Sequence, residues 1–340
     1  MILSIVDRPR YGLLEHSEAM VSYMQHYGNE PGLTLYHPSL NTAEDLAVKV
    51  PFSVMRLLKR AFRHEFSTLV LWSVGITCML LPLIRLLHPR AKIIIVCHEP
   101  GGLGKRLGKK DDFWYAVTVT LFERLFFPFS HLIVTPNVSN SHTYAMPFAP
   151  LLFLEPASRS SEPREFVVYL GRKSHTRSVD LFSGKSCAEL LRAAGGCTRF
   201  SFFPDGERKS FDDKDWLMRR ALCTANLYTV EHNQSGVTPD SLRFGVPIIV
   251  SEYDAFAAQI ADYKAGIVLP VDAISAETVA AAVTAIRSDF KSYSDGASEL
   301  FDVYFGKTGF QRYWLPLLCS KPVSYRGWRP QKGWHRKIGA

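Results

Sequence analysis

The sequence predicts an α/β protein made of two doubly wound, Rossmann-like domains that face each other across a cleft. Three observations predict it. Short apolar runs alternate with helical patterns along most of the chain. The runs are continuous rather than alternating, as strands buried on both faces of a parallel sheet read. The rhythm breaks once, at the polar stretch SRSSEPRE, 158–165, and then restarts. The first domain is therefore placed at 1–157 and the second at 166–310, with 158–165 as linker. Residues 311–340 form a C-terminal segment that can cross back to the first domain.

In the first domain, strands are expected at 2–7, 32–38, 68–74, 92–98 and 131–136. Helices are expected at 13–27, about 51–64, 76–87 and 111–127. In the second domain the strands are 166–172, 198–205, 226–230, 247–254 and 266–270. The helices there are 179–194, 212–224, 239–244, 255–264 and 275–289. Ligands of such folds bind beyond the carboxyl ends of the strands. The loops after 172, 205, 230 and 254 are the place to look, and facing them those after 7, 74, 98 and 136.

The chain has 340 residues, a net charge of +8, a pI of about 9.1 and a mean hydropathy of −0.01. Such a balance fits a soluble globular protein with an anionic partner. Six Cys at 78, 97, 187, 197, 223 and 319 form no CxxC pair, so a zinc or redox motif is not expected. MILSIVDRPR has no basic leader before its short apolar run, so a reducing, cytoplasmic setting is inferred. FSTLVLWSVGITCMLLPLI, 66–84, approaches bilayer-spanning length. Gly75 and Pro82 interrupt it, however, which favours a strand, a turn and a helix.

The richest stretch is EHNQSGVTPDSLRFGVPIIVSEYD, 231–254. Thr238 reads as an N-cap, Pro239 as the first helical residue, and Asp240 as an acid in the first turn. Ser235, Gly236 and Val237 precede that start, and backbone there can approach a ligand closely. Free N–H groups and the positive end of the helix dipole suit an anion. The first strand of the second domain ends in GRKSHTRS, 171–178, which sets Gly171, Arg172 and Arg177 at the same edge. Arginine suits bidentate phosphate contact.

These residues carry a resemblance. The chain resembles the two-domain GT-B glycosyltransferases of the GT4-like type. Members open the second domain with a strand ending in Gly-Arg and carry Lys five residues later. Here Gly171 and Arg172 match, and Arg177 stands at the Lys position. Members also carry two glutamates with seven residues between them, a short helix, then Gly, one residue, Pro and an apolar strand. Gly245-Val246-Pro247-Ile248-Ile249-Val250 matches that ending. Asp240 falls at the second glutamate, which the resemblance implies holds the donor ribose. His232 falls at the first glutamate, with Glu231 before it and Asn233 after it, so this position departs from the pattern. The glycine-rich opening loop of the family is absent from DRPRYGLLEHSEAM.

The resemblance implies transfer of a sugar from a UDP- or GDP-linked donor to a saccharide or lipid-linked saccharide, with retention at the sugar carbon. Glu231, His232 and the strand-end His98 are the candidate catalytic residues. Glu99 and Gly101 beside His98 are the candidate acceptor contacts. Arg172, Arg177 and the 236–240 amides would offset the charge growing on the leaving diphosphate. No metal is expected, because no Asp-x-Asp pair is placed for one, and no cofactor beyond the nucleotide sugar. Alternatives are a silent GT-B protein that binds a nucleotide sugar or a partner enzyme, and an epimerase or phosphorylase on the same plan.

Three basic stretches remain. MRLLKRAFRH, 55–64, puts Met55, Leu58 and Phe62 on one helical face with cations around the rest. GKRLGKK, 104–110, and the Trp-containing tail 324–340 add more. Together they suggest a peripheral protein on the cytoplasmic face of an anionic membrane, serving surface polysaccharide or glycolipid synthesis. Nucleic acid is not the expected partner, because no strand-borne stacking platform is evident.

Overall fold

The computed structural model describes residues 1–6, 13–36, 49–51, 53–72, 76–98, 121, 123–138, 146–153, 156–157, 162–171, 178, 180–183, 185–194, 197–202, 211–229 and 235–319. It divides into two compact units, Met1–Leu154 with Lys307–Ala340, and Glu155–Gly306. The 104–110 loop and the 324–340 tail lie outside the described residues.

The first unit is built on six strands: β1 (Ile2–Val6), β2 (Gly32–Tyr36), β3 (Lys49–Pro51), β4 (Thr68–Leu71), β5 (Lys92–Val96) and β6 (Leu132–Val134). Their order is β3-β2-β1-β4-β5-β6, with every neighbouring pair parallel. This is the Rossmann order, which reverses between β1 and β4. β1, β4 and β5 are buried along their whole length, so both faces of the sheet must be covered. The strand period of two sorts the core into two layers. Ile2, Val6, Val70 and Ile94 pack with Met20 and Met24 of the helix Leu13–Tyr27. Leu3, Leu69, Ile93 and Ile95 pack with Leu57 and Ala61 of the helix Val54–Phe62 and with Leu81 and Ile84 of the helix Leu81–Leu87.

The end of the described chain completes the first of these layers. Phe310, Trp314 and Leu318 join the core beside the Leu13 helix. The Trp314 ring lies 5.2 Å from that of Trp72, and its indole N–H donates to the Pro150 carbonyl at 2.7 Å. The buried Lys92 donates to the Leu317 carbonyl, and desolvation lowers the pKa of its ammonium.

The second unit carries β7 (Phe166–Gly171), β8 (Cys197–Phe202), β9 (Ala221–Asn226), β10 (Ile248–Ser251) and β11 (Gly266–Leu269). Their order is β11-β10-β9-β7-β8, again all parallel. This is the flavodoxin-like order, which reverses between β7 and β9. The helices Lys185–Ala193 and Ala276–Ser288 cover one face through Cys187, Leu191, Val279 and Val283. Ser275 and Thr278 close a reciprocal capping box at the start of the second of these helices.

Four expectations need correction. The third strand of the second unit is Ala221–Asn226, not 226–230, and the helix before it ends at Arg219. Ala and Leu favour helix, but full burial between β7 and β10 overrides that preference. β3 was not foreseen; it is a three-residue edge strand whose last residue is Pro51, a position where a missing N–H is tolerated. The helix Phe290–Tyr304 was also not foreseen. The 179–194 helix is two pieces, Asp180–Ser183 and Lys185–Ala193. The 66–84 stretch resolves into β4 and the helices Ile76–Met79 and Leu81–Leu87. No helix among the described residues is long and apolar enough to cross a membrane.

One buried histidine gives the first unit a pH dependence. His131 Nδ1 accepts the Ile93 backbone N–H at 2.9 Å, and an Arg85 Nη1 lies 3.0 Å from its Nε2. Burial first, then the Arg85 and Lys92 charges, push its pKa from 6.5 down to about 4. Between those values the unfolded chain binds the proton and the folded chain does not, so stability falls as pH drops. Melting curves from pH 7 to pH 4 should show this fall, and His131→Gln should be less steep than the parent over the same range.

Candidate functional site

Parallel strands bring their carboxyl ends to one edge. At the point where strand order reverses, neighbouring loops leave in opposite directions and open a crevice. In the second unit that point lies between β7 and β9, whose last residues are Gly171 and Asn226. The loops there are tied together: the Ser178 backbone N–H donates to the Leu227 carbonyl at 3.0 Å. From β9 the chain passes through Tyr228 to Ser235 and Gly236 and enters the short helix Val237–Arg243.

The helix begins earlier than the sequence suggests. Gly236, not Thr238, is the N-cap, and Pro239 is the third helical residue rather than the first. The cause is a competing bond. The buried Thr238 hydroxyl donates to Asp254 Oδ2 at 3.1 Å, while Ser235 Oγ accepts the Val237 N–H at 3.1 Å. Pro still costs no hydrogen bond there, since the first-turn N–H groups have no intrahelical partner. Asp240 remains in the first turn, its backbone N–H donating to the Gly236 carbonyl at 3.2 Å.

Asp254 is the residue that sequence reasoning missed. It follows β10 and is 4% exposed. Its Oδ2 also accepts the Asn226 side-chain amide at 3.1 Å, and its Oδ1 accepts the Phe256 backbone N–H at 2.9 Å. One carboxylate thus joins the end of β9, the first turn of the Val237 helix and the loop after β10. A second polar contact, Thr224 Oγ1 to Ser241 Oγ at 2.6 Å, ties the same helix to the middle of β9. The signal in the sequence was an acid closing the apolar run PIIVSEYD, which was read as the strand's tail.

The far end of the helix explains the Gly-x-Pro ending. Val246 N–H donates to the Ser241 carbonyl at 3.0 Å and Gly245 N–H to the Leu242 carbonyl at 2.9 Å, a Schellman cap. Gly245 has φ +61°, and an added Cβ would meet Ser298 Oγ at 2.8 Å. Gly236 is different. Its φ is −65°, and an added Cβ would meet nothing within 4 Å. Neither its backbone nor packing among the described residues requires glycine there.

Of the candidate donor residues, Ser235, Gly236, Val237, Thr238 and Asp240 share one turn, and Gly171 ends the strand across the crevice from β9. His98 belongs to the other sheet, just past β5, with Nε2 3.0 Å from the Trp72 carbonyl at the end of β4. A carbonyl only accepts, so Nε2 carries a proton. Arg172, Arg177, Glu231, His232, Asn233, Glu99 and Gly101 lie outside the described residues.

Asp254→Ala should leave the Asn226 amide and the Thr238 hydroxyl buried without their acceptor, a loss of about 2–4 kcal/mol in urea unfolding. Gly245→Ala should cost about 1–2 kcal/mol through its left-handed backbone.

No family model matches the chain, and no curated protein matches it in sequence. Solved structures do match. HepE from Anabaena, in complex with UDP and glucose, is 12% identical, covers 94% of this chain and 99% of its own, and has a TM-score of 0.59. Sucrose-phosphate synthase from Thermosynechococcus elongatus is 10% identical over 93% of this chain and 98% of its own, with a TM-score of 0.61. The lipopolysaccharide outer core galactosyltransferase WaaB, in its apo form, is 11% identical over 92% and 99%, with a TM-score of 0.53. At these identities the likeness is one of fold: the chain has the two-sheet α/β architecture of the GT-B glycosyltransferases.

Proposed function

We propose that the chain is a glycosyltransferase that moves a sugar from a nucleotide-diphosphate donor to a saccharide or lipid-linked saccharide acceptor. The observation that carries this reading is the Ser235–Asp240 turn, held by Asp254 at the β7/β9 reversal, where an open α/β sheet binds its ligand. Support also comes from the fold shared with proteins solved with UDP and glucose, and with a lipopolysaccharide galactosyltransferase.

In this reading the diphosphate lies against the Gly236 and Thr238 amides, since Val237 and Asp240 donate within the turn and Pro239 has no N–H, with Arg172 and Arg177 completing the cationic side. Charge grows on the departing diphosphate as the glycosidic bond breaks, and fixed N–H groups and guanidinium groups stabilise it without reorganising. They would do so without a metal ion. Asp240 is assigned to the ribose hydroxyls, Glu231 and His232 to the donor sugar, and His98 to the acceptor hydroxyl, with Glu99 and Gly101 beside it. Retention at the sugar carbon, and a role in surface polysaccharide or glycolipid synthesis on the cytoplasmic membrane face, belong to the same proposal.

A thermal-shift titration with UDP, GDP, ADP and CMP, with and without magnesium, tests it. One diphosphate should stabilise the protein equally in both conditions, by about 2.7 kcal/mol at a hundredfold excess over Kd. Arg172→Ala should abolish that shift. Gly236→Val should weaken binding at least tenfold while costing the free protein no more than about 1–2 kcal/mol as a poorer N-cap, since none of the described residues lies within 4 Å of its Cβ position. Absence of a shift with any nucleotide would sink the proposal.

A further inference from the structure

Among the described residues, nine large hydrophobic side chains are exposed, and eight of them belong to the first unit, between Val54 and Leu125. They are not scattered. The helices Val54–Phe62 and Leu81–Leu87 cover the same face of the first sheet. Each turns one stripe inward, Leu57 and Ala61 on the first, Leu81 and Ile84 on the second. A surface helix is expected to be polar on its opposite stripe. Here Met55 is 75% exposed, Phe62 70% and Leu86 77%, with Leu83 at 40% beside it.

The two helices are joined at their ends. His64 Nε2 donates to the Leu87 carbonyl at 3.1 Å, and the His64 and His88 rings stack at 4.3 Å. Phe127, just beyond the exposed Leu121 and Leu125, packs into the same core layer. The apolar stripes therefore lie on the outer surface of one helical layer.

The charge on that layer is one-sided. From Val54 to Arg90 there are six Arg and Lys and one acid, Glu65. Glu65 is paired with Arg60 at 3.0 Å and Arg63 at 3.7 Å. Arg56, Lys59, Arg63 and Arg90 are exposed around the apolar stripes.

We infer that this outer helical layer is a docking face for an anionic lipid bilayer, with Phe62, Met55 and Leu86 entering the acyl boundary and the surrounding cations meeting the headgroups. Apolar side chains ringed by cations match a surface that is hydrocarbon beneath and negative above. Nucleic acid would satisfy the cations but leave the Leu, Met and Phe side chains in water. A second copy on the same face would set like charge against like charge across a two-fold axis. The inference rests on the membrane-face part of the proposed function but on none of the donor-site residues, so the nucleotide titration and the vesicle experiment can fail separately.

The test is co-sedimentation of the full chain with vesicles of phosphatidylglycerol and phosphatidylethanolamine, against vesicles of phosphatidylcholine alone. Binding should be strong to the first, weak to the second, and reduced by salt. Phe62→Ser with Leu86→Ser should lower partitioning about a hundredfold, each loss being at least tenfold. Arg56→Gln with Lys59→Gln and Arg63→Gln should lower it about fivefold per residue. Because all five side chains are exposed, both variants should melt as the parent does. Phe62→Trp provides a readout without loss of the apolar face: its emission should shift to the blue on anionic vesicles and be quenched by brominated acyl chains.

Three results would overturn the inference. The parent chain fails to sediment with anionic vesicles. The serine variant binds as well as the parent, so that only charge matters, as it would for a nucleic acid. Or the exposed face is consumed by self-association, seen as a dimer in sedimentation velocity that the serine variant abolishes.

Discussion

Parallel pairing is the constraint from which the rest of this molecule follows. A parallel strand cannot return through a tight turn, so each connection must cross over a face of the sheet. The crossovers carry helices, the helices cover both faces, and the strands between them are free to be apolar on every residue. The same geometry sends all carboxyl ends to one edge and opens a crevice wherever the winding reverses. Both sheets obey it, with reversals at β1/β4 in one and β7/β9 in the other. The site needs no special loop to be found; it lies where the strand order reverses.

What refines the site is a small set of buried polar side chains. Asp254, Asn226, Thr238, Thr224 and Ser241 sit among apolar strands and helices, all of them buried. Buried polar groups are tolerated when hydrogen-bonded, and such bonds fix geometry more tightly than apolar contact does. Here the network holds a two-turn helix that is too short to be stable alone. Its N-terminus is held in place by Asp254 and its C-terminus by the Schellman cap at Gly245 and the Ser294 hydroxyl, which donates to the Gly245 carbonyl at 2.7 Å.

The first unit puts its polar residues to a different use. Trp72 donates its indole N–H to Ser4 Oγ at 2.9 Å, and Ser4, Ser17 and Thr34 form a chain of hydroxyls between β1, the Leu13 helix and β2. Trp72 then packs against Trp314, so the returning C-terminal segment is part of this core rather than an appendage. The opposite face of the same sheet is where apolar side chains remain uncovered. One layer is closed by the Phe310–Leu318 segment, and the helices of the other carry exposed Met55, Phe62 and Leu86.

The sequence by itself determined the class of the fold, most strand positions and the candidate turn at 235–240, because each is a local pattern. Continuous apolar runs report burial on two faces. It did not determine β9, whose Ala, Leu and Cys read as helix until burial between two strands decides otherwise. It did not determine the helix start either. Thr238 looks like a cap because Thr usually is one, yet its hydroxyl is drawn to Asp254, sixteen residues away in the chain. The outer stripe of the Val54 helix was legible at Met55 and Phe62, but not that Leu58 between them turns partly into the core, which only packing against the sheet decides. Local propensity is written in neighbouring residues, whereas the partner of a buried carboxylate and the depth to which a side chain such as Leu58 is buried exist only once distant segments have met.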